Sequence, residues 1–243
     1  MRRFDFEIGG PGQEKQTLGV ELHDTPMQTG KDHTDVGLQT WGASIVISRF
    51  MAMRPEAFGL GDLEPGTTIV ELGAGTGLLS LVLSSLLAER QPLIVATDYH
   101  PTVLTNLRRN AATHAESNPG AAPIEVCHLD WSAPSREAPL DTPAKYIVAA
   151  DVAYAPEHAA WLRDCGAHLL AADGVFWLMV SIRPNGKFEG ISDVVEAAFE
   201  AGRPGVDGRV LKIVSTERIH KLDGIGRADE VAYKLYKVMW QGP

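Results

Sequence analysis

Thr67-Thr-Ile-Val-Glu-Leu-Gly-Ala-Gly-Thr-Gly-Leu-Leu79 is the stretch from which the rest of this 243-residue chain is read. Thr67, Thr68, Ile69 and Val70 form an unbroken β-branched run, the composition of a strand buried on both faces. Gly73, Gly75 and Gly77 follow at once, and then an apolar run from Leu78 to Leu87 predicts a helix. Glycines here let the backbone turn sharply and let a ligand lie against peptide groups with no Cβ in the way. Strand, glycine turn and helix are also the plan of a dinucleotide site, but these glycines are spaced two and two, where that fingerprint has two and three. Glu71, just before the first glycine, adds negative charge that suits a cationic ligand better than a pyrophosphate. S-adenosylmethionine, with its sulfonium and ammonium groups, meets that preference; a glycine turn without a ligand is the alternative.

Leu93-Ile-Val-Ala-Thr-Asp98-Tyr99 predicts a second buried strand ending in an acid, about twenty residues past the glycines. An acid there can accept hydrogen bonds from both ribose hydroxyls, or it can cap the helix that Pro101 opens. Val103, Leu104, Leu107 and Ala111 give that helix one apolar face. Ile124 to Trp131 reads as a third strand with an acid–aromatic tip, Asp130 and Trp131. Trp131 would border an adenine, with Asp130 near its exocyclic amine, or would be a partly buried surface aromatic. Tyr146-Ile-Val-Ala-Ala-Asp151 is a fourth strand, running into Asp151-Val-Ala-Tyr154. Pro156 then opens a helix whose inner face is Trp161, Leu162, Cys165 and Leu169. Gly174–Ser181 is a fifth strand, 188–201 a helix, and Arg209–Ser215 and Val231–Trp240 two closing strands.

Upstream, Phe4–Ile8 alternates like a half-buried strand and pairs with Thr17–Leu22 across a Gly9–Gln13 turn. The polar stretch that follows includes Asp32, His33 and Asp35, read as solvated loop residues rather than metal ligands. Trp41, in Gly37-Leu-Gln-Thr-Trp41-Gly-Ala-Ser44, leads into an amphipathic helix, Ile45 to Met53, as a core anchor or a pocket wall.

Strand–helix alternation closed by a strand pair predicts an α/β fold. Its Rossmann-like, seven-stranded, mostly parallel sheet has helices on both faces and an antiparallel C-terminal hairpin. An N-terminal β-hairpin extension over residues 1–36 completes one domain spanning 1–243. Ligands of such sheets lie outside the carboxyl ends of the strands, and Gly73, Asp98, Trp131 and Asp151 all fall at predicted strand ends.

A hydrophobic content of 44% with 22% charged residues is that of a globular protein, and a net charge of −9 argues against binding nucleic acid through its phosphates. No apolar run is long enough to cross a bilayer. Cys127 and Cys165 lie in apolar segments without metal-type neighbours and read as buried thiols of a reducing compartment. Together with an N-terminus unlike a signal peptide, this gives a cytosolic expectation, with the nucleus as a second compartment.

These motifs, taken together, resemble the class I seven-strand methyltransferases, and more narrowly methyltransferase family 16, small protein-lysine methyltransferases with an Asp-x-x-Tyr motif. The resemblance rests on Trp41–Ser44, Glu71–Gly77, Asp98, Leu129-Asp-Trp131 and Asp151–Tyr154, and runs from about Gly37 to the final hairpin. It implies S-adenosylmethionine as cofactor and S-adenosylhomocysteine as product. Trp41, Glu71, Gly73, Ala74, Gly75, Gly77, Asp98, Tyr99, Asp130, Trp131 and Ala150 would form the cofactor site. Asp151 and Tyr154 would face the acceptor amine, Asp151 as an orienter and Tyr154 as an aromatic wall; a helix cap and a helix-covering aromatic are their plain readings. No metal is implied. The family modifies individual proteins, which implies a protein substrate carrying the lysine and leaves room for a partner in a protein complex. A small-molecule N- or O-methyltransferase, such as the nicotinamide N-methyltransferase-like members, and a non-catalytic AdoMet-binding partner are the rival readings.

Overall fold

β-Branched and apolar runs between glycine turns become the strands of the computed structural model, which describes residues 1–9, 16–24, 37–185, 189–205 and 207–242. The chain divides into two compact units, Met1–Thr40 with Ser44–His128, and Trp41–Ala43 with Leu129–Pro243.

In the first unit β1 (Arg2–Ile8) and β2 (Gln16–Leu22) pair antiparallel, with Phe4 opposite Val20 and Phe6 opposite Leu18. Their period-2 alternation puts Phe4, Phe6, Leu18, Val20 and Leu22 on one face, buried against Leu78, Leu81 and Val82. The chain continues through α1 (Gly42–Met53), which starts ahead of the expected Ile45, then β3 (Thr68–Leu72) and α2 (Leu78–Leu86). β4 (Leu93–Asp98), α3 (Pro101–Ser117) and β5 (Ile124–His128) follow. The strands run parallel in the order β5-β4-β3, with Leu72 opposite Thr97 and Asp98 opposite His128. Every residue of β3 is buried, as its continuous apolar run requires. α3 turns Leu104 and Leu107 against Ala74 and Ala96, closing the space behind the glycine turn.

The second unit holds β6 (Ala144–Ala150), α4 (Pro156–Leu169), β7 (Leu170–Ile182), α5 (Ile191–Ala201), β8 (Arg203–Pro204), β9 (Val210–His220) and β10 (Ala232–Gln241). Its strands run β6-β7-β10-β9-β8, with β6 and β7 parallel and the other pairs antiparallel. Phe176 of β7 meets Phe199 of α5 edge-on, and Gly166 lets α4 approach Phe176 closely.

The Rossmann-like sheet with a C-terminal antiparallel pair and an N-terminal hairpin agrees with the sequence; among the described residues the sheet carries eight strands rather than seven, the extra one being the two-residue β8. β5 stops at His128, so Asp130 and Trp131 lie in the turn beyond it. β7 starts at Leu170, directly after α4, and α5 starts at Ile191. The Gly10–Gln13 turn, the Asp32, His33 and Asp35 group, and Phe188 lie outside the described residues. No helix among the described residues is long and apolar enough to cross a membrane.

Candidate active site

The glycine turn of the first unit is built at the end of β3. Gly73, Gly75 and Gly77 take φ values of 68°, 56° and 87°, the left-handed region where an L side chain is strained. A Cβ on Gly75 would sit 3.2 Å from the Gly37 oxygen, and one on Gly77 would strike Leu107. The Ala74 amide donates to Thr97 O at 2.8 Å, fastening the turn to β4. The Gly75 amide donates to Asp98 Oδ2 at 3.1 Å, while Asp98 Oδ1 accepts from the Tyr99 and His100 amides at 2.8 and 3.1 Å. Asp98 is thereby fixed at the tip of β4 beside the turn, and burial raises its pKa above the ordinary carboxyl value against the pull of those amides. The Thr40 and Thr76 hydroxyls lie 2.9 Å apart, and Asn110 Nδ2 donates to Thr76 O at 2.8 Å, holding the second half of the turn.

Glu71 departs from its sequence reading. Its carboxyl is buried and accepts hydrogen bonds from the Ser80 amide at 3.0 Å and from the Ser80 hydroxyl, near the start of α2. Burial pushes its pKa up to about 8. Burial therefore works against the negative charge that the sequence reading gave Glu71. Tyr99 is exposed, its ring tilted against His128 at 5.4 Å.

The Asp151–Tyr154 turn belongs to the second unit. The Asp151 amide continues the β6–β7 ladder by donating to Met179 O at 2.9 Å. Asp151 itself has φ 58°, a left-handed conformation for a residue that is not glycine. Its Oδ1 accepts from the Ser181 amide at 2.9 Å and the Ser181 hydroxyl at 2.5 Å, and its Oδ2 from Arg183 Nη2 at 3.0 Å. Only 3% of the side chain is exposed. The expectation that this carboxylate faces an amine meets a different geometry: both oxygens are engaged by β7 and the residue after it.

Tyr154 is 39% exposed, the most open residue of the turn. His158, one turn into α4, packs edge-on against it at 4.4 Å, stacks on Trp161 at 5.5 Å and meets the edge of Trp131 at 6.1 Å. Trp131 and Tyr154 thus share one histidine, and burial lowers the pKa of His158, favouring the neutral imidazole. The Trp131 indole nitrogen is buried with no hydrogen-bond partner, a donor that a ligand could satisfy. Asp130 Oδ1 accepts from the Ser132 amide at 2.8 Å and its hydroxyl at 2.6 Å, shaping the turn that carries Trp131. Ala150 closes β6, and the Trp41 ring has the Arg183 and Arg227 guanidinium carbons 5.7 and 5.4 Å from its centroid.

Three residues went unread in the sequence: Ser181, Arg183 and Glu230. Arg183 Nη2 also donates to Glu230 Oε1 at 3.0 Å, and Glu230 Oε2 accepts from the Tyr233 hydroxyl at 2.8 Å. The available signal was a charged residue immediately past one apolar strand and another just before the next.

A left-handed glycine turn against a half-buried strand-tip acid is the device that binds a nucleoside in this architecture, and its backbone and carboxylate fit the ribose end of S-adenosylmethionine. Solved structures share the fold. A sarcosine dimethylglycine methyltransferase, assigned as putative, from Galdieria sulphuraria superposes with a TM-score of 0.54 at 14% identity, over 82% of this chain and 86% of that one. The lysine methyltransferase family model matches residues 23–194, and the chain belongs to that family. It is 28% identical to protein-lysine N-methyltransferase EFM3 of Saccharomyces cerevisiae over 65% of this chain and 47% of that protein. It is 33% identical to the mouse protein-lysine methyltransferase METTL21E over 55% of this chain and 50% of that protein. The chain spans about half the length, or less, of the curated relatives it matches.

Proposed function

We propose that this chain catalyses S-adenosylmethionine-dependent N-methylation of a lysine side chain in a protein substrate. The observation that carries the reading is that the lysine methyltransferase match extends unbroken over both the glycine turn and the Asp151–Tyr154 turn. In this reading Trp41, Gly73, Ala74, Gly75, Asp98, Trp131 and Ala150 contact the cofactor. Glu71, Gly77, Tyr99 and Asp130 act one step back, shaping the two turns and their flanks. A cytosolic location, with the nucleus as a second compartment, is part of the proposal and is supported by two free cysteines.

The bound cofactor supplies a methyl group on a sulfonium. With its ammonium proton already given up to water, the neutral lysine nitrogen would take that methyl group and with it the positive charge, and S-adenosylhomocysteine would leave. Charge moves from sulfur to nitrogen without changing in total, so alignment and exclusion of water supply most of the rate. The amine must first be neutral, which costs roughly 4–5 kcal/mol at pH 7 from a reference pKa of about 10.4. A bare carboxylate beside it would raise that cost by favouring the ammonium. Asp151, paired with Arg183, is a poor stabiliser of the ammonium, and Tyr154 offers an aromatic wall and a hydroxyl acceptor instead.

Incubation with methyl-labelled S-adenosylmethionine and a cell lysate tests the proposal. Label in a discrete protein band, released as methyl-lysine on hydrolysis and lost in Tyr154→Ala, is the expected result. Label confined to the low-mass fraction would replace it with small-molecule methylation. Tight cofactor binding with no transfer would leave a non-catalytic protein that works by docking to a partner.

A further inference from the structure

The mechanism above makes no use of the buried charge cluster of the second unit, and its geometry is specific. Three chain segments each deliver one charged side chain: Asp151 directly after β6, Arg183 directly after β7, and Glu230 just ahead of β10. Their side chains are 3%, 7% and 0% exposed, so this is an interior network rather than a surface ion pair. Burial works against the Arg183 charge, but Asp151 and Glu230 together raise its pKa above the ordinary arginine value. One guanidinium nitrogen bridges both carboxylates, at 3.0 Å from each.

Backbone features enclose the cluster. Val231 N donates to Ile182 O at 3.0 Å, which clamps the segment carrying Glu230 against the end of β7. A Cβ on Gly42 would lie 2.6 Å from Glu230 Oε2 and 2.5 Å from the Tyr233 hydroxyl, and Gly226, at φ 79°, packs against the same two groups. The Arg183 guanidinium also lies over the Trp41 ring. Asp151, meanwhile, holds a left-handed backbone, uncommon for a residue other than glycine even though Asp and Asn tolerate it best, and its surroundings keep it there. Those surroundings are Ser181 and Arg183.

We propose that Arg183, braced by Glu230, is the positioning residue of the acceptor turn: it holds Asp151 in its left-handed conformation so that Tyr154, and not the Asp151 carboxylate, meets the methyl acceptor. The proposal rests on the reading of Tyr154 as the acceptor contact. Asp151 is almost wholly buried, with its two oxygens turned toward Ser181 and Arg183, and so has no free surface for an amine. The motif's acid is then a structural latch for the motif's tyrosine.

Kinetics and hydrogen exchange test the proposal together. Asp151→Asn tolerates the left-handed backbone and keeps a carbonyl for Ser181, but turns an amide NH2 toward Arg183, donor against donor. Its kcat should fall about 100-fold, the penalty of a small misplacement, with the KM for S-adenosylmethionine and the midpoint of the pH–rate profile unmoved. A pH midpoint displaced by a unit or more would mean that the carboxylate meets the amine, and would overturn the proposal. Replacing all three charges with amides, Asp151→Asn with Arg183→Gln and Glu230→Gln, should recover most of the lost kcat, and a triple variant that folds yet is no better than Asp151→Asn counts against it. Hydrogen exchange on the Arg183→Lys variant needs no turnover, so it keeps a failure of this proposal apart from a failure of the methyltransferase reading. Residues 150–156 should exchange faster than in the parent, while 68–80 stay protected. Equal protection of 150–156 in variant and parent would remove Arg183 from the role.

Discussion

Asp98 shows how much one side chain settles. Its Oδ1 accepts from two amides that open α3, and its Oδ2 accepts from Gly75 in the glycine turn, so the same carboxylate fixes the turn and remains an acceptor at the tip of β4. The sequence offered two readings, a ribose acceptor or a helix cap, and the geometry combines them: Asp98 holds the amides before α3 with one oxygen and the glycine turn with the other. Asp98→Asn keeps a carbonyl for the Tyr99 and His100 amides but turns an NH2 group toward the Gly75 amide, exchanging a charged acceptor for a donor. Hydrogen bonds to a charged group contribute about 1.5–3 kcal/mol, so the dissociation constant for S-adenosylmethionine should rise about 10- to 100-fold by calorimetry. An affinity within about twofold of the parent would mean that the ribose does not lie on Asp98. Tyr154 invites a paired comparison, since Tyr154→Phe keeps the ring and loses only the hydroxyl. If the hydroxyl accepts the amine, kcat should drop about tenfold, the worth of one ordinary hydrogen bond, and Tyr154→Ala should drop it further by removing the wall.

At the scale of the element, the junction of β3 and α2 is held by a buried acid. Glu71 ends its strand with a carboxyl that receives the Ser80 amide, one of the first-turn N–H groups that α2 cannot satisfy within itself. Burial raises its pKa from 4.5 to about 8. The folded state therefore binds one proton more than the unfolded state between those two values. Stability from this group is fully present below about pH 4.5 and declines as pH rises toward about 8, with a slope of at most about 1.4 kcal/mol per unit. Glu71→Gln, which has no proton to lose, should flatten that slope. Chemical denaturation at pH 5 and pH 8 checks it: the variant should gain on the parent as pH rises, and parallel curves would show that Glu71 titrates normally. The glycine turn was legible in the sequence because its strand, glycines and acid lie within about thirty residues of each other and each obeys a local rule. The state of Glu71 was not, because a carboxyl's charge depends on what surrounds it, and the sequence motif does not say that Ser80, nine residues on, closes over that carboxyl.

At the scale of the whole molecule, the same distinction explains which parts of the candidate site could be read. Strand–helix alternation and the closing strand pair gave the sheet, because periodicity and chain direction constrain topology strongly. The orientation of Asp151 depended on partners 30 and 32 residues away, in β7 and just after it, and through Arg183 on Glu230 a further 47 residues on, and no spacing rule couples those positions. Residues that are adjacent only after folding are invisible to motif reading even when the motif itself is plain. A whole-molecule measurement then asks whether the turn, the acids and the aromatic residues act as one cofactor site. A ligand that binds only the folded state stabilises it by about 2.7 kcal/mol at 100 times its dissociation constant. For a chain of this size that corresponds to a rise in melting temperature of roughly 5–10 °C. S-adenosylmethionine and S-adenosylhomocysteine should both produce it, since they share the nucleoside and differ in the sulfonium, and NAD at the same concentration should not, because the glycine spacing departs from the dinucleotide pattern. Asp98→Asn should reduce the shift at fixed ligand concentration, whereas Asp151→Asn, whose carboxylate is turned toward Ser181 and Arg183, should leave it in place. A shift with NAD alone would reassign the glycine turn, and an S-adenosylmethionine shift lost equally in both variants would mean that cofactor binding depends on the acceptor turn as much as on Asp98.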